Sequence, residues 1–124
     1  MRTENITYFT DKEEEFANIL IKIGTKPNVA KVLVFMVNTP QSTSREIERG
    51  TDLRQPEVSI AMRYLEEQGW ITSRDNKTEG KGRPLKIYGL AKPITSIMES
   101  MELEKMKEAT SQIAMIQKLK DYIP

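Results

Sequence analysis

Apolar residues recur at spacings of three and four along most of the chain, and two short runs of β-branched and aromatic residues interrupt that rhythm past its middle. Thr10 and Glu13 have the T-x-x-E spacing of a capping box. Phe16, Ile19, Leu20 and Ile23 then predict one buried stripe on a helix of about 14 residues that ends before Gly24. Pro27 suits the first turn of a second helix with Val29, Val32, Leu33, Met36 and Val37 apolar, closed by Pro40. Thr43 and Glu46 repeat the capping-box spacing for a short third helix, with Ile47 inward and Gly50 as its expected end. After a turn over Thr51 to Arg54, a fourth helix opens at Gln55 and Pro56, buries Val58, Ala61, Met62 and Leu65, and stops at Gly69. Trp70, Ile71 and Thr72 read as a strand, Asp75 to Gly82 as a turn, and Leu85, Ile87, Tyr88 and Leu90 as the returning strand. From Pro93 to about Tyr122 the pattern is one helix of roughly 30 residues, or ~45 Å at 1.5 Å per residue. The expectation is a mainly α protein with a small β-hairpin.

Composition narrows the function classes. The 124 residues are 38% hydrophobic and 30% charged, which suits one soluble domain. His and Cys are absent, which removes disulfides, thiolate chemistry, Ser/His and Cys/His dyads, and zinc sites built on those ligands. An enzyme would need carboxylate pairs, Lys or a carboxylate-bound metal, and the helical pattern converges no such cluster, so neither an enzyme nor a metal or cofactor is expected. The longest apolar run, Val32 to Val37, is far below the roughly 18 residues of a spanning helix. The first fifteen residues carry Glu4, Asp11, Glu13, Glu14 and Glu15, the opposite of a cationic signal sequence, so a cytoplasmic protein is expected.

Charge is uneven. The net is +1 overall, yet residues 72–92 hold six basic and two acidic groups on a glycine-rich segment where a phosphate backbone could be met. The same excess would also suit an ordinary solvated loop.

The order of these elements resembles the winged helix-turn-helix transcription regulators, in particular small archaeal and bacterial ones grouped with the MarR, TrmB and ArsR families. The residues that carry the likeness are Thr43-Ser44-Arg45-Glu46-Ile47, Val58-Ser59 with Leu65-Glu66-Glu67-Gln68-Gly69-Trp70-Ile71, and Gly80-Lys81-Gly82-Arg83-Pro84 followed by Ile87-Tyr88-Gly89-Leu90. They span about half the chain, residues 29–90. The resemblance implies a winged helix-turn-helix DNA-binding domain over 1–92 with a flanking N-terminal helix, and a C-terminal dimerisation helix over 93–124. It departs from ArsR-type metal sensors, which use Cys or His clusters, and from TrmB-type sugar regulators, which add a large ligand-binding domain. No effector site is identified.

At about 100° per residue, Pro56, Ile60, Arg63 and Glu67 face away from the apolar side of the fourth helix, flanked by Ser59 and Tyr64. In the family this helix enters the major groove, which would present Gln55, Ser59, Ile60 and Arg63 to base edges. Arg63 can take guanine O6 and N7, Gln55 adenine N6 and N7, and Ile60 a thymine methyl. Each also has a plainer role: solvated Arg, helix-capping Gln, isolated exposed Ile. Gly82-Arg83-Pro84 forms a slim tip, since Pro84 biases Arg83 to extended backbone, and with Lys77 and Lys81 it suits a narrow minor groove. A turn that simply needs Gly and Pro is the alternative. By the resemblance, Ser44, Arg45 and Arg54 would contact phosphates and set affinity rather than sequence preference.

In the last helix Met106, Ala109, Ile113, Ile116 and Ile123 alternate at three and four, with Lys120 breaking the seam, while Ile94, Ile97, Met98 and Met101 form a stripe in shifted phase. One stripe can pack on the winged domain and the other on a partner. Phe16, Ile19, Met106, Ile113, Ile116 and Ile123 are the expected dimerisation residues, and a two-fold dimer calls for a pseudo-palindromic double-stranded operator. Glu57 and Glu67 oppose phosphate and keep open a winged-helix protein-interaction module that does not bind DNA.

Overall fold

The computed structural model describes residues 9–76 and 85–124. It contains helices α1 (Asp11–Lys22), α2 (Pro27–Asn38), α3 (Ser44–Thr51) and α4 (Gln55–Glu67), an antiparallel pair β1 (Ile71–Asn76) and β2 (Leu85–Leu90), and α5 (Ile94–Lys120). The described residues up to Ala91 form one compact unit and those from Lys92 onward a second. The mainly helical class with a small hairpin is as the pattern predicts.

The first unit is built around α2. Val29, Ala30, Val32, Leu33, Val34 and Met36 are all buried on this helix, so it is apolar nearly all round. That is the composition of a central helix rather than a surface one, and α1, α3, α4 and β2 all pack against it. Both predicted threonine caps form: Thr10 Oγ1 accepts from Glu13 N at 3.1 Å, and Thr43 Oγ1 accepts from Glu46 N at 3.2 Å. Each glutamate reciprocates by accepting the cap residue's own N–H, at 2.7 Å and 2.9 Å. Asn38 Nδ2 donates to Glu13, which ties the end of α2 to the start of α1.

Three local expectations are corrected. Helix α1 buries Ala17 and Leu20, Phe16 is half-buried, and Ile19 and Ile23 remain 50% and 42% exposed. This helix packs mainly on α2; a single neighbour covers a narrow arc, and Ile19 lies about 160° round from Ala17 at 100° per residue. Gly50 does not end α3. The helix continues through Thr51 and closes at Asp52, whose φ of 59° takes the left-handed position. Gly50 instead lies under the ring of Phe35, where a Cβ would come 2.1 Å from Cε1. Strand β1 runs on through Asp75 and Asn76, past the predicted start of the turn, because these pair with Lys86 and Leu85.

Helix α4 buries Val58, Ala61, Met62 and Leu65 as expected. It ends in a Schellman arrangement: Trp70 N donates to Leu65 O at 3.0 Å and Gly69 N to Glu66 O at 2.9 Å, with Gly69 at φ 78°. The hairpin is anchored at this point. Trp70 and Ile71 are buried, and Ala91 N donates to Trp70 O at 2.8 Å. A third extended segment joins β2, because Ser42 and Tyr88 exchange backbone hydrogen bonds of 3.0 Å and 2.8 Å. Its approach is close enough that a Cβ on Gly89 would meet Pro40 O at 2.8 Å.

In the second unit α5 spans 27 residues, about 40 Å at 1.5 Å per residue. Ile97 is its buried residue, and every residue from Glu102 to Pro124 is exposed.

Candidate nucleic-acid interface

Helices α3 and α4 are joined by only Asp52, Leu53 and Arg54, with Leu53 N donating to Glu48 O at 3.2 Å. The start of α4 is set by Arg54 at the cap position and Pro56 in the first turn. Glu57 Oε1 accepts Arg54 N–H at 2.9 Å. Of the two acids on this helix that oppose phosphate, Glu57 therefore holds the helix terminus in shape, as Glu46 does for α3.

Two of the grooves along α4 hold most of its outward side chains. The first, of about 250 Å³, runs between α3 and α4 and is lined by Ser44, Glu48, Gln55, Ser59, Arg63 and Glu66, with Tyr88 at its end. The second, of about 320 Å³, lies between the α1–α2 turn and α4, lined by Gly24 to Lys26, Val29, Ile60, Arg63, Tyr64 and Glu67. Arg63 borders both. Ile60 is 66% exposed, an apolar side chain standing free on the outer helix face.

Four of the sequence-predicted contacts, Ser44, Gln55, Ser59 and Arg63, are thus gathered along the first groove, while Ile60 lies on the other flank. Arg45 and Arg54 are exposed but line neither groove. Lys77, Lys81 and Arg83 lie outside the described residues. Among the expected dimerisation residues, Ile19, Met106, Ile113, Ile116 and Ile123 are exposed and Phe16 is half-buried.

Sequence reasoning missed several groups on this surface. Glu48 and Glu66 face the first groove, and residues 43–69 together carry four basic and six acidic side chains, so the helix-turn-helix is itself acidic. Helix periodicity could have placed Glu66 beside Arg63, but nothing in one helix's pattern places Glu48 opposite. Tyr88 carries only a strand signal in the sequence. The bond from Arg74 Nη2 to Gln41 Oε1, 2.8 Å, joins residues 33 apart with no local signal. Among the described residues no three His, Cys, Asp or Glu side chains gather as a metal site would need.

Residues 23–82 match a family model, described as the MarR family. The helix-turn-helix segment is MarR-like. Solved structures with a similar fold include TrmBL2, described as an archaeal chromatin protein with a novel mode of DNA binding, at TM-score 0.70 and 15% identity over 90% of this chain. The chain spans 40% of that protein's length. A possible transcriptional regulator from Methanosarcina mazei Go1 aligns at TM-score 0.63 and 14% identity, with 86% of each chain covered. A MarR family regulator from Neisseria meningitidis aligns at TM-score 0.50 and 18% identity, over 89% of this chain and 84% of that one. No curated protein matches the sequence. The chain shares the winged helix-turn-helix fold of these structures, as the resemblance in its sequence implies.

Proposed function

We propose that the chain is a cytoplasmic transcription regulator that binds double-stranded DNA sequence-specifically as a homodimer, with α4 in the major groove and the basic segment of the wing near the minor groove. The observation that carries this reading is the outer face of α4, where Gln55, Ile60 and Arg63 are exposed among the described residues. Arg63 would take guanine, Gln55 adenine and Ile60 a thymine methyl. Ser59 lies along the same groove as Gln55 and Arg63. Ser44, Arg45 and Arg54 would hold phosphates, and Lys77, Lys81 and Arg83 would supply the minor-groove contact. The dimer would form through Phe16, Ile19, Met106, Ile113, Ile116 and Ile123, and its symmetry would select a pseudo-palindromic operator.

The acidic balance of residues 43–69 favours one competing reading, a winged-helix interaction module that leaves DNA alone. Binding to mixed duplex DNA across a salt series separates the two. A regulator loses affinity steeply with log salt, and the Lys77→Ala, Lys81→Ala, Arg83→Ala triple variant loses about 2 to 3 units of slope. A flat response in the parent protein selects the interaction module.

A further inference from the structure

A two-stranded hairpin is marginal by itself in water, so its attachment to the helical body decides where it points. Near its root the wing is held by buried Trp70 and Ile71, and at Tyr88 by the single bridge to Ser42. One further tie is a side chain. Arg74 Nη2 donates to Gln41 Oε1 at 2.8 Å, reaching across the width of β2. Arg74 pairs with Ile87, and Gly89 comes two residues later on the same sheet face. With no side chain at Gly89, a trough of about 350 Å³ opens between Pro40, Gln41, Thr72, Arg74, Ile87 and Leu90, and the guanidinium spans it. Among the described residues no other side-chain hydrogen bond links either strand to the rest of the chain. Gln41 stands two residues before Thr43, the cap of α3, so the tie runs from the wing to the front of the helix-turn-helix.

We infer that Arg74 and Gln41 are positioning residues that fix the angle between the wing hairpin and α3, and that Arg74 acts through Gln41 rather than through a phosphate. A single bridge pair resists separation but permits rotation about itself; a second attachment to one side removes that rotation. A hydrogen bond between exposed groups adds little to global stability, so its effect falls on geometry. The inference rests on the DNA-binding reading for its functional readout.

The test compares the parent protein with Gln41→Ala, Arg74→Met, the double variant and Gln41→Glu, all with thermal melts near the parent. On duplex DNA the two single variants each weaken binding by about threefold to tenfold, the scale of one hydrogen bond. The double variant loses no more than either single, and the slope against log salt stays unchanged. Gln41→Glu adds a negative charge yet keeps the parent affinity, because the pair becomes charge-assisted. The inference is overturned if Gln41→Ala is neutral while Arg74→Met lowers the slope by about 0.9, the signature of one lost phosphate contact, or if every variant binds as the parent does. Amide exchange at Tyr88 without DNA provides the independent arm, with faster exchange expected in Gln41→Ala. If the parent binds no duplex, the regulator reading fails by itself, and unchanged exchange at Tyr88 then sinks the tie separately.

Discussion

Gly50 and Gly69 look alike in sequence, each placed where a helix is due to end, yet they answer to different constraints. Gly50 is shaped by a neighbour, since a Cβ there would enter the ring of Phe35, whereas Gly69 has open space and is shaped by its backbone, at φ 78°. Gly50→Ala is expected to cost about 1–3 kcal/mol through overpacking, and shrinking the ring in the Gly50→Ala, Phe35→Leu double variant should recover part of it. Gly69→Ala should cost ~1–2 kcal/mol from the left-handed backbone alone, with no second-site change in packing able to restore it. Denaturant midpoints for the three variants check both statements. A sequence shows where a glycine stands but not what presses on it, which is why Gly50 reads as a terminator and proves to be a contact.

At the scale of elements, periodicity is reliable where one helix meets several neighbours. The buried set of α4 was legible because packing enforces it on a wide arc, and both threonine caps because the capping box is local; α2 was legible only in part, since Ala30 and Val34 are buried beside Val29, Val32, Leu33 and Met36 while Val37 is half-buried. Helix α1 departs from its stripe, with Ile19 and Ile23 exposed, since a stripe in sequence says nothing of how many elements will cover it. The Ser42 segment was invisible, as one bridged residue has no alternation to detect. For the candidate site, single-helix reasoning found the outward side chains of α4 but not the groove wall that α3 supplies through Glu48. Replacing Arg63 with Ala should relax base preference at one position of the selected sites, worth about 1–3 kcal/mol of discrimination, while Arg54→Ala should weaken all sequences alike. Selection from a random duplex pool with each variant reads the difference, and equal relaxation in both would remove Arg63 from the base-reading role.

For the whole molecule, the question is what becomes of α5, whose apolar residues Leu103, Met106, Ile113, Met115, Ile116 and Leu119 are all exposed. Our proposal is that two copies associate through this surface. Sedimentation is expected to show a dimer, and Ile113→Glu with Ile116→Glu a monomer with reduced DNA affinity; a parent protein that is already monomeric at tens of micromolar would refute the dimer. The edge-on pair of Tyr64 and Trp70, 6.4 Å between ring centres and 83° between planes, supplies a different instrument. Trp70 is the chain's lone tryptophan and is buried where α4 gives way to the hairpin. Light absorbed by that indole interrogates one joint of the molecule. Its emission stays blue while the joint is shut and reddens when water arrives, so detachment of the wing carries a colour of its own, separable from the melting of helices followed by circular dichroism.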